Sequence, residues 1–311
     1  MSINIAVIGA GHLGRHHARL LASLPEVQLS GIVDTNASRA QEVAALYSVP
    51  ACGGMESLPQ GIHAVVVAVP TEYHHPVAIQ CLERGWHVLV EKPLAPNAAL
   101  GREIVEAASD RKRVLQVGHT ERYNPAVREA LSRVRNPRFL EVHRLGTFAA
   151  RSLDVDVILD LMIHDLDIAL SLNPTGVESV AAVGVSALTD KMDIANARIA
   201  FRSGCVANLT ASRISTERVR KIRIFQPDSY LSIDSATQEL VHFRLDRSGA
   251  GAARIVQVPS EVEKDEPLRG ELLDFVMAVA KGRSPLVRGW EGLAALELAE
   301  RVQRAISEGG S

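Results

Sequence analysis

The sequence has few cysteines, few aromatic residues and almost no net charge, and each shortage argues against a class of protein. Its three cysteines, Cys52, Cys81 and Cys205, are odd in number and form no Cys-x-x-Cys pair, which argues against a disulfide framework or a structural zinc site and favours reducing cytosol. Aromatic residues make up 4% of the chain, and the formal net charge is −2. A nucleic-acid surface needs basic charge and stacking rings, and an anionic membrane needs positive charge. We therefore predict a cytoplasmic protein that binds neither.

Long apolar runs are also missing. No window offers the roughly 20 uninterrupted apolar residues that cross a bilayer, and the first residues lack the basic region of a signal peptide. With 47% hydrophobic and 23% charged residues over 311 positions, the composition is that of a globular protein. The length is sufficient for two domains with separate cores.

The start of the chain has the pattern of a dinucleotide-binding turn. A buried strand is predicted over residues 3–8, and the next residues are Gly9-Ala10-Gly11-His12-Leu13-Gly14. In such a strand-to-helix turn the first glycine permits the sharp bend, the second lets the backbone approach a pyrophosphate, and the third lets the helix pack on the strand. His12 and Leu13 begin the helix whose N-terminus would face the phosphates.

An acidic residue follows the second predicted strand. Residues 27–33 end at Asp34, twenty positions after Gly14, where a carboxylate can accept hydrogen bonds from the adenosine ribose hydroxyls. This placement favours NAD, because the 2′-phosphate of NADP would meet a negative charge. Arg39 could offer a phosphate contact, so NADP stays open as the less favoured cofactor. The alternative role for Asp34 is to cap the next helix.

Two further strands end in residues that suit a ligand crevice. The runs 64–69 and 86–90 lead into Pro70-Thr71-Glu72-Tyr73-His74 and Glu91-Lys92-Pro93. The carboxyl ends of parallel strands border the crevice, so the cofactor-binding candidates here are Pro70, Thr71, His74, Glu91 and Lys92. The Lys92-Pro93 bond is a candidate for a cis turn. The alternatives are a helix-start role for His74 and a solvated turn for Lys92.

The stretch from Asp160 to Asp167 carries a proton-handling pair. Asp160 and His164 are four residues apart, so on a helix they share one face, and the carboxylate can fix the tautomer of a ring that titrates near neutral pH. Asp165 and Asp167 point to other faces, where we expect them to serve solvent or an interface. Two metal ligands with no obvious third make a metal site a poor explanation, so no metal is predicted.

These motifs, in this order and at these distances, resemble the Gfo/Idh/MocA family of oxidoreductases. The resemblance implies an α/β protein with an N-terminal Rossmann dinucleotide-binding domain and a C-terminal α/β domain that contains a large, mostly antiparallel open sheet. It also implies NAD(P)-linked oxidation or reduction of a sugar or cyclitol hydroxyl. In that reaction Lys92 would contact the reacting hydroxyl, His164 would be the acid/base, and Asp160 would be its partner in the substrate pocket.

A finer resemblance concerns the segments 117–126 and 160–165, which are similar to family members that act on nucleotide sugars. It implies a UDP-N-acetylhexosamine oxidised at C3 to a 3-keto sugar that is later aminated for lipid A. The candidate substrate-binding residues are Lys92, His119, Glu121, Arg122, Tyr123, Asn124, Arg151, Asp160 and His164. Three alternatives stay open: a dehydrogenase of a free sugar or an inositol-type cyclitol, an NAD-retaining glycosidase, and a non-catalytic NAD-binding sensor.

A local excess of arginine supports a phosphorylated substrate. Residues 122–151 contain seven arginines against two acids, and the planar guanidinium binds phosphate oxygens bidentately. A solvated helix face is the better explanation for Arg128, Arg133 and Arg135. Arg122 and Arg151 are therefore the candidates for a diphosphate contact.

The pattern of the second half of the chain predicts a β-sheet followed by two helices. We predict a Rossmann domain over residues 1–118 and a substrate-binding and oligomerisation domain over 119–311. Alternating stretches between 177 and 259 predict strands, and amphipathic helices are predicted near 268–281 and 290–306. An open sheet face would expose too much apolar surface in a monomer, so we predict a homodimer or homotetramer formed through this sheet.

Overall fold

The computed structural model describes residues 2–148, 155–248 and 252–309. The chain divides into two compact units. The first contains the residues up to Thr120 together with Leu268–Leu296, and the second contains Glu121–Pro267 and the residues from Glu297 onward. The boundary predicted after residue 118 is near the first of these divisions, but the return of 268–296 to the first unit differs from the prediction.

The first unit is built on a parallel sheet of six strands in the order β3-β2-β1-β4-β5-β6. The strands are β1 Ile3–Ile8, β2 Val27–Val33, β3 Ala51–Cys52, β4 Ala64–Val67, β5 His87–Glu91 and β6 Leu115–Gly118. The helices between them are α1 His12–Ser23, α2 Ala37–Tyr47, α3 His74–Glu83 and α4 Ala98–Asp110. Every residue of β4 is buried, as expected where helices cover both faces of a parallel sheet. The predicted Rossmann fold is confirmed.

The first unit includes a helix from late in the sequence because that helix completes its core. The helix α7 spans Pro267–Lys281. Its Leu272, Phe275 and Val276 are fully buried in the same apolar cluster as Ile5 and Val7 of β1. An amphipathic pattern predicts that such a helix has a buried face, but it does not say which core receives that face.

The second unit contains an eight-stranded sheet in the order β14-β13-β12-β11-β7-β10-β9-β8. Its strands are β7 Phe139–Leu145, β8 Val177–Val185, β9 Ile194–Phe201, β10 Val206–Ser212, β11 Val219–Phe225, β12 Ser229–Asp234, β13 Glu239–Asp246 and β14 Arg254–Val258. Only β7 and β10 pair in parallel, and the other pairs are antiparallel. The predicted large, mostly antiparallel sheet is confirmed.

In the central strands of this sheet, residues alternate between a buried and a partly exposed face. In β7, Leu140 and Val142 are buried, whereas Phe139, Glu141 and His143 are partly exposed, a pattern typical of antiparallel sheets with one covered face. The helices of this unit are α5 Pro125–Arg133, α6 Ile163–Leu172 and the last part of α8 Gly289–Gly309. The helices predicted near 268–281 and 290–306 are thus confirmed as α7 and α8.

The three cysteines are buried and carry free thiols. Within the ranges the structure describes, no helix combines the length and apolar character needed to cross a bilayer. The same residues contain no group of three or more His, Cys, Asp or Glu side chains placed to hold a metal ion.

Candidate active site

The glycine-rich turn after β1 is shaped by contacts that leave no room for larger residues. Gly9 has a positive φ of 97°, and a β carbon there would lie 2.5 Å from the carbonyl oxygen of Ala68. A β carbon on Gly14 would lie 1.8 Å from the carbonyl oxygen of Gly9. At Gly11 nothing lies within 4 Å of that position. The first and third glycines are therefore required by packing, while the second borders open space, as the approach of a pyrophosphate requires.

Asp34, at the end of β2, is tied to this turn. Its two carboxylate oxygens accept hydrogen bonds from the backbone N–H groups of Ala10 and Asn36, each at 2.8 Å. The N-cap of α2 is Asn36, whose side-chain oxygen accepts a hydrogen bond from the backbone N–H of Arg39, so the alternative that Asp34 merely caps this helix is wrong. The guanidinium of Arg39 lies 3.6 Å from Asp34. The turn and this carboxylate fit the pyrophosphate and ribose of a dinucleotide.

His74 contacts both the residues that follow β4 and those that follow β5. The Lys92-Pro93 peptide bond is cis. The two ring nitrogens of buried His74 lie 2.7 Å from the carbonyl oxygen of Pro93 and 2.9 Å from that of Val69. Burial lowers the pKa of His74 although these carbonyls oppose the shift, and a neutral ring donates to one carbonyl at a time. His74 therefore supports the turn that follows Lys92, and its contact with the cofactor stays a prediction, as do those of Pro70 and Thr71.

Glu91, the last residue of β5, makes a buried contact with α1. Its carboxylate lies 2.6 Å from Nε2 of His17 on α1, and both side chains are buried. Burial favours the protonated acid, but the hydrogen bond and charge of His17 outweigh it and lower the pKa of Glu91. The side chain that precedes Lys92 is thus held inside the unit. The contact of Glu91 with a cofactor stays a prediction.

A second buried carboxyl group, Glu271 on α7, was not anticipated from the sequence. Its Oε2 accepts a hydrogen bond of 3.0 Å from the Thr120 hydroxyl, and its backbone carbonyl accepts one from the Gln116 amide. Burial, reinforced by the charge of Glu91, raises the pKa of Glu271 well above its ordinary value. In the sequence, Glu271 is an acidic residue among the apolar positions of a predicted amphipathic helix. That pattern does not identify the partners of its side chain.

In the second unit, the proton-handling pair lies where a π-helical turn passes into an α-helix. Asp160 belongs to the turn Ile158–Met162, and His164 belongs to the first turn of α6. Both side chains are partly exposed, whereas Ile158 and Met162 are buried. The α-helix predicted to carry both residues therefore begins only after Asp160. Such π-helical turns occur frequently at functional sites.

Two carboxylates close to His164 in the chain are buried in ion pairs. Asp165 accepts two hydrogen bonds from Arg144, at 2.6 and 2.9 Å, and Glu121 accepts a third at 2.7 Å. Asp167 pairs with Arg122 at 3.2 Å. Asp165 and Asp167 were expected to serve solvent or an interface. The solvent role is wrong, because both side chains are buried and paired with arginines from other parts of the same unit. Burial lowers the pKa of Arg144, but these carboxylates outweigh it and raise the pKa.

Other predicted substrate contacts fall within residues 119–124. His119 and Tyr123 are buried. Asn124 caps α5 by accepting a hydrogen bond from the Ala126 N–H, and its amide donates to the carbonyl of Ser235 at 2.8 Å. Their substrate contacts, like those of Glu121 and Arg122, stay predictions. Arg151 lies outside the described residues.

Comparison with known families decides the classification. Residues 3–119 match the oxidoreductase family with an NAD-binding Rossmann fold, and residues 126–227 match the Gfo/Idh/MocA C-terminal domain. The chain belongs to the Gfo/Idh/MocA family. This Gfo/Idh/MocA oxidoreductase therefore has NAD as its cofactor, as predicted. The glycine turn and Asp34 are the features of the protein that suit a dinucleotide.

Individual relatives extend the likeness over almost the whole chain. The oxidoreductase is 39% identical to the UDP-N-acetylglucosamine 3-dehydrogenase of Acidithiobacillus ferrooxidans over 302 residues, which cover 96% of each chain. The solved structure of that enzyme matches with a TM-score of 0.91 and 38% identity over 99% of each chain. The inositol 2-dehydrogenase of Rhizobium meliloti is 28% identical over 99% of this chain and 98% of its own.

Proposed function

We propose that this Gfo/Idh/MocA oxidoreductase oxidises the C3 hydroxyl of a UDP-N-acetylhexosamine to a 3-keto sugar, with NAD as the acceptor. The observation that carries the proposal is the nearly full-length likeness to a UDP-N-acetylglucosamine 3-dehydrogenase. The presence of Lys92, Asp160 and His164 also favours an enzyme over a non-catalytic NAD sensor, which needs none of them. The product would supply a later amination, for which lipid A synthesis is the proposed destination.

The residues of the first unit would bind and orient the cofactor. The backbone around Gly11 would approach the pyrophosphate, and Asp34 would accept hydrogen bonds from the adenosine ribose. Bound there, NAD would supply the acceptor for the hydride that leaves the sugar carbon. Glu91, fixed by His17, and His74, bonded to the carbonyl of Pro93, would hold the backbone on either side of Lys92. Catalytic groups need this kind of fixed placement.

Three side chains would transfer the proton and stabilise the charge that develops on the substrate. His164 would take the proton from the reacting hydroxyl, Asp160 would orient and polarise the imidazole, and the Lys92 ammonium would steady the developing negative charge on the oxygen. The ion pairs of Asp165 and Asp167 would hold α6 in place from its buried side.

The substrate test measures NADH formation by the purified protein with NAD and UDP-N-acetylglucosamine, beside free N-acetylglucosamine and myo-inositol. We expect a signal with the UDP sugar alone, enlarged when the ketone is trapped. Turnover of myo-inositol alone would reject the nucleotide-sugar assignment in favour of a cyclitol dehydrogenase, the second candidate, which the inositol 2-dehydrogenase relative supports. Cleavage of a glycosidic bond without net NADH would indicate an NAD-retaining glycosidase instead.

A companion test addresses the acid/base. His164→Ala should lower kcat about a hundredfold or more, the usual contribution of general acid/base catalysis, without changing NAD affinity. His143→Ala is the matched control, because His143 is a partly exposed histidine of the same unit that lies on β7. Near wild-type turnover of the His164 variant would contradict the assignment.

We also propose that two or more copies associate through the partly exposed sheet face. Four aromatic side chains, Phe139, Phe225, Tyr230 and Phe243, form a row across β7, β11, β12 and β13, each directly opposite the next in register. Their ring centroids are 5.7, 4.8 and 6.4 Å apart along the row. We call these four residues the aromatic row. A contiguous apolar surface of this kind, on a chain poor in aromatic residues, supports burial against a second copy.

A further inference from the structure

Two arginines face each other in the sheet of the second unit. Arg220 on β11 is directly opposite Arg144 on β7 in the antiparallel register. By strand alternation both lie on the same face as buried Ile222 and Val142. Like charges in directly opposite positions destabilise a sheet, so their retention calls for negative charge nearby.

Several carboxylates of the second unit are occupied by other arginines. Arg144 holds both Asp165 and Glu121. Arg122 pairs with Asp167, and Arg213 pairs with Asp193 at 2.9 Å. These acids therefore have guanidinium partners of their own.

Arg220 is held by backbone oxygens instead. Its Nη1 donates to the carbonyl of Leu145 at 2.6 Å and to that of Val219 at 2.9 Å. In the described ranges, no carboxylate lies within ion-pair distance of Arg220. Burial and the positive charge of Arg144 lower the pKa of Arg220 to about 10, although the negative charges of Glu121 and Asp165 oppose the shift. The side chain is thus a fixed, partly buried cation that no described carboxylate contacts directly, and an anionic ligand would stabilise its charge.

Arg220 lies opposite Arg144, which in turn contacts the first turn of α6. A β carbon on Gly146, just after β7, would lie 3.8 Å from Nη2 of Arg220, so this side of the guanidinium lies close to the end of β7. Arg144, directly opposite Arg220, donates a hydrogen bond to Asp165, which is the neighbour of His164 in the chain.

We infer that Arg220, assisted by exposed Arg218, binds the diphosphate group of the nucleotide-sugar substrate. The inference rests on the proposed function and names the group that selects a nucleotide sugar over a free sugar. Arg220 suits this role because its Nη2 is not used in the bonds to the two carbonyls, and guanidinium N–H groups form strong, directed bonds to phosphate oxygens. Arg122 is less suited, because its Nη1 already bonds both oxygens of Asp167.

The test compares Arg220→Met and Arg220→Lys with Arg223→Met. Arg223 lies on the same strand but on the opposite face, where it pairs with Glu141, so its loss should not affect phosphate binding. Two measurements are made on each folded variant: the affinity for UDP by calorimetry, and KM and kcat for UDP-N-acetylglucosamine. NAD affinity is measured as a control for the first unit.

We expect Arg220→Met to weaken UDP binding about tenfold or more, the usual loss when a hydrogen bond to a charged group is removed. KM should rise by a similar factor while kcat stays within about twofold, because the contact holds a group remote from the reacting carbon. Arg220→Lys should recover part of the affinity, since it keeps the charge without the planar fork. Arg223→Met should match the wild type.

Two failures are distinguishable. If the wild type oxidises UDP-N-acetylglucosamine and both Arg220 variants keep its KM and UDP affinity, the role of Arg220 is overturned and the proposed function stands. If the wild type neither binds UDP nor oxidises the UDP sugar, both are overturned. Should Arg220→Met not fold, Arg220→Lys decides: unchanged UDP affinity in that variant would overturn the role of the Arg220 guanidinium.

Discussion

At the scale of single residues, we propose that cofactor choice depends on Asp34. Removing its carboxylate with Asp34→Ala takes away the proposed ribose contact and the negative charge that would repel a 2′-phosphate. We expect the affinity for NAD to fall about tenfold and the NAD-to-NADP affinity ratio to fall with it. Titration of each cofactor against intrinsic fluorescence measures both. Arg39→Ala is the control, because Arg39 lies beside Asp34 but should matter for NADP alone.

An unchanged NAD-to-NADP ratio in Asp34→Ala would contradict this role. Because Asp34 also accepts the N–H of Ala10, a loss of affinity alone could reflect a disturbed turn. The ratio separates the two explanations, since a disturbed turn weakens both cofactors equally.

Glu271 gives a pH-dependent prediction at the same scale. Burial raises its pKa in the folded state, so the folded protein keeps a proton that the unfolded chain releases near pH 4.5. The stability contributed by the protonated group is therefore complete below that pH and is lost as the pH rises toward the folded-state pKa. Glu271→Gln keeps a neutral side chain that can still accept a hydrogen bond from Thr120. We expect this variant to gain more thermal stability near pH 8 than near pH 5.

The control for this prediction is Glu42→Gln. Glu42 is exposed and its pKa is lowered by Arg15, so its replacement should give no gain at alkaline pH. Melting temperatures of the three proteins over a pH series make the comparison. A gain for Glu271→Gln that is equal at both pH values would rule out a raised pKa as its cause.

At the scale of secondary-structure elements, two asparagine caps separate local from tertiary stabilisation. Asn36 is an exposed N-cap of α2. Asn124 caps α5 and also donates from its buried amide to the carbonyl of Ser235, next to β12. We expect Asn36→Ala to cost about 1 kcal/mol, an ordinary cap, and Asn124→Ala to cost about 2–3 kcal/mol, because a buried carbonyl also loses its partner.

Chemical denaturation of both variants tests this difference. Equal losses would show that the bond from Asn124 to Ser235 contributes nothing beyond the cap. The substrate role predicted for Asn124 is tested in the same samples, since a purely structural residue should leave KM unchanged in the fraction that is folded.

Elements formed by neighbouring residues were predictable, and elements defined by distant partners were not. The strand, the turn at Gly9 and Gly14 and the following helix are local, so spacing alone was sufficient. The location of α7 and the partners of Glu271 depend on residues about 150 positions away in sequence. The same holds for Asp165, which periodicity correctly directs away from the face of His164 but whose arginine partner lies on β7.

At the scale of the whole molecule, the aromatic row is where self-association can be tested. Phe225 lies in the middle of the row and contacts rings on both sides. Phe225→Glu would place a carboxylate in an apolar interface, where an unpaired charge is strongly unfavourable. We therefore expect the wild type to be a dimer or larger by light scattering and the Phe225→Glu variant to have a smaller mass at the same concentration. Leu46→Glu is the matched control, because Leu46 is a large apolar residue on α2 with 68% of its surface exposed but lies outside the sheet.

A wild-type monomer, or an assembly that Phe225→Glu leaves intact, would show that copies of the chain do not associate through this row. NAD binding by the variant, which depends on the Rossmann unit, should be unchanged and would verify that a lower mass does not result from unfolding.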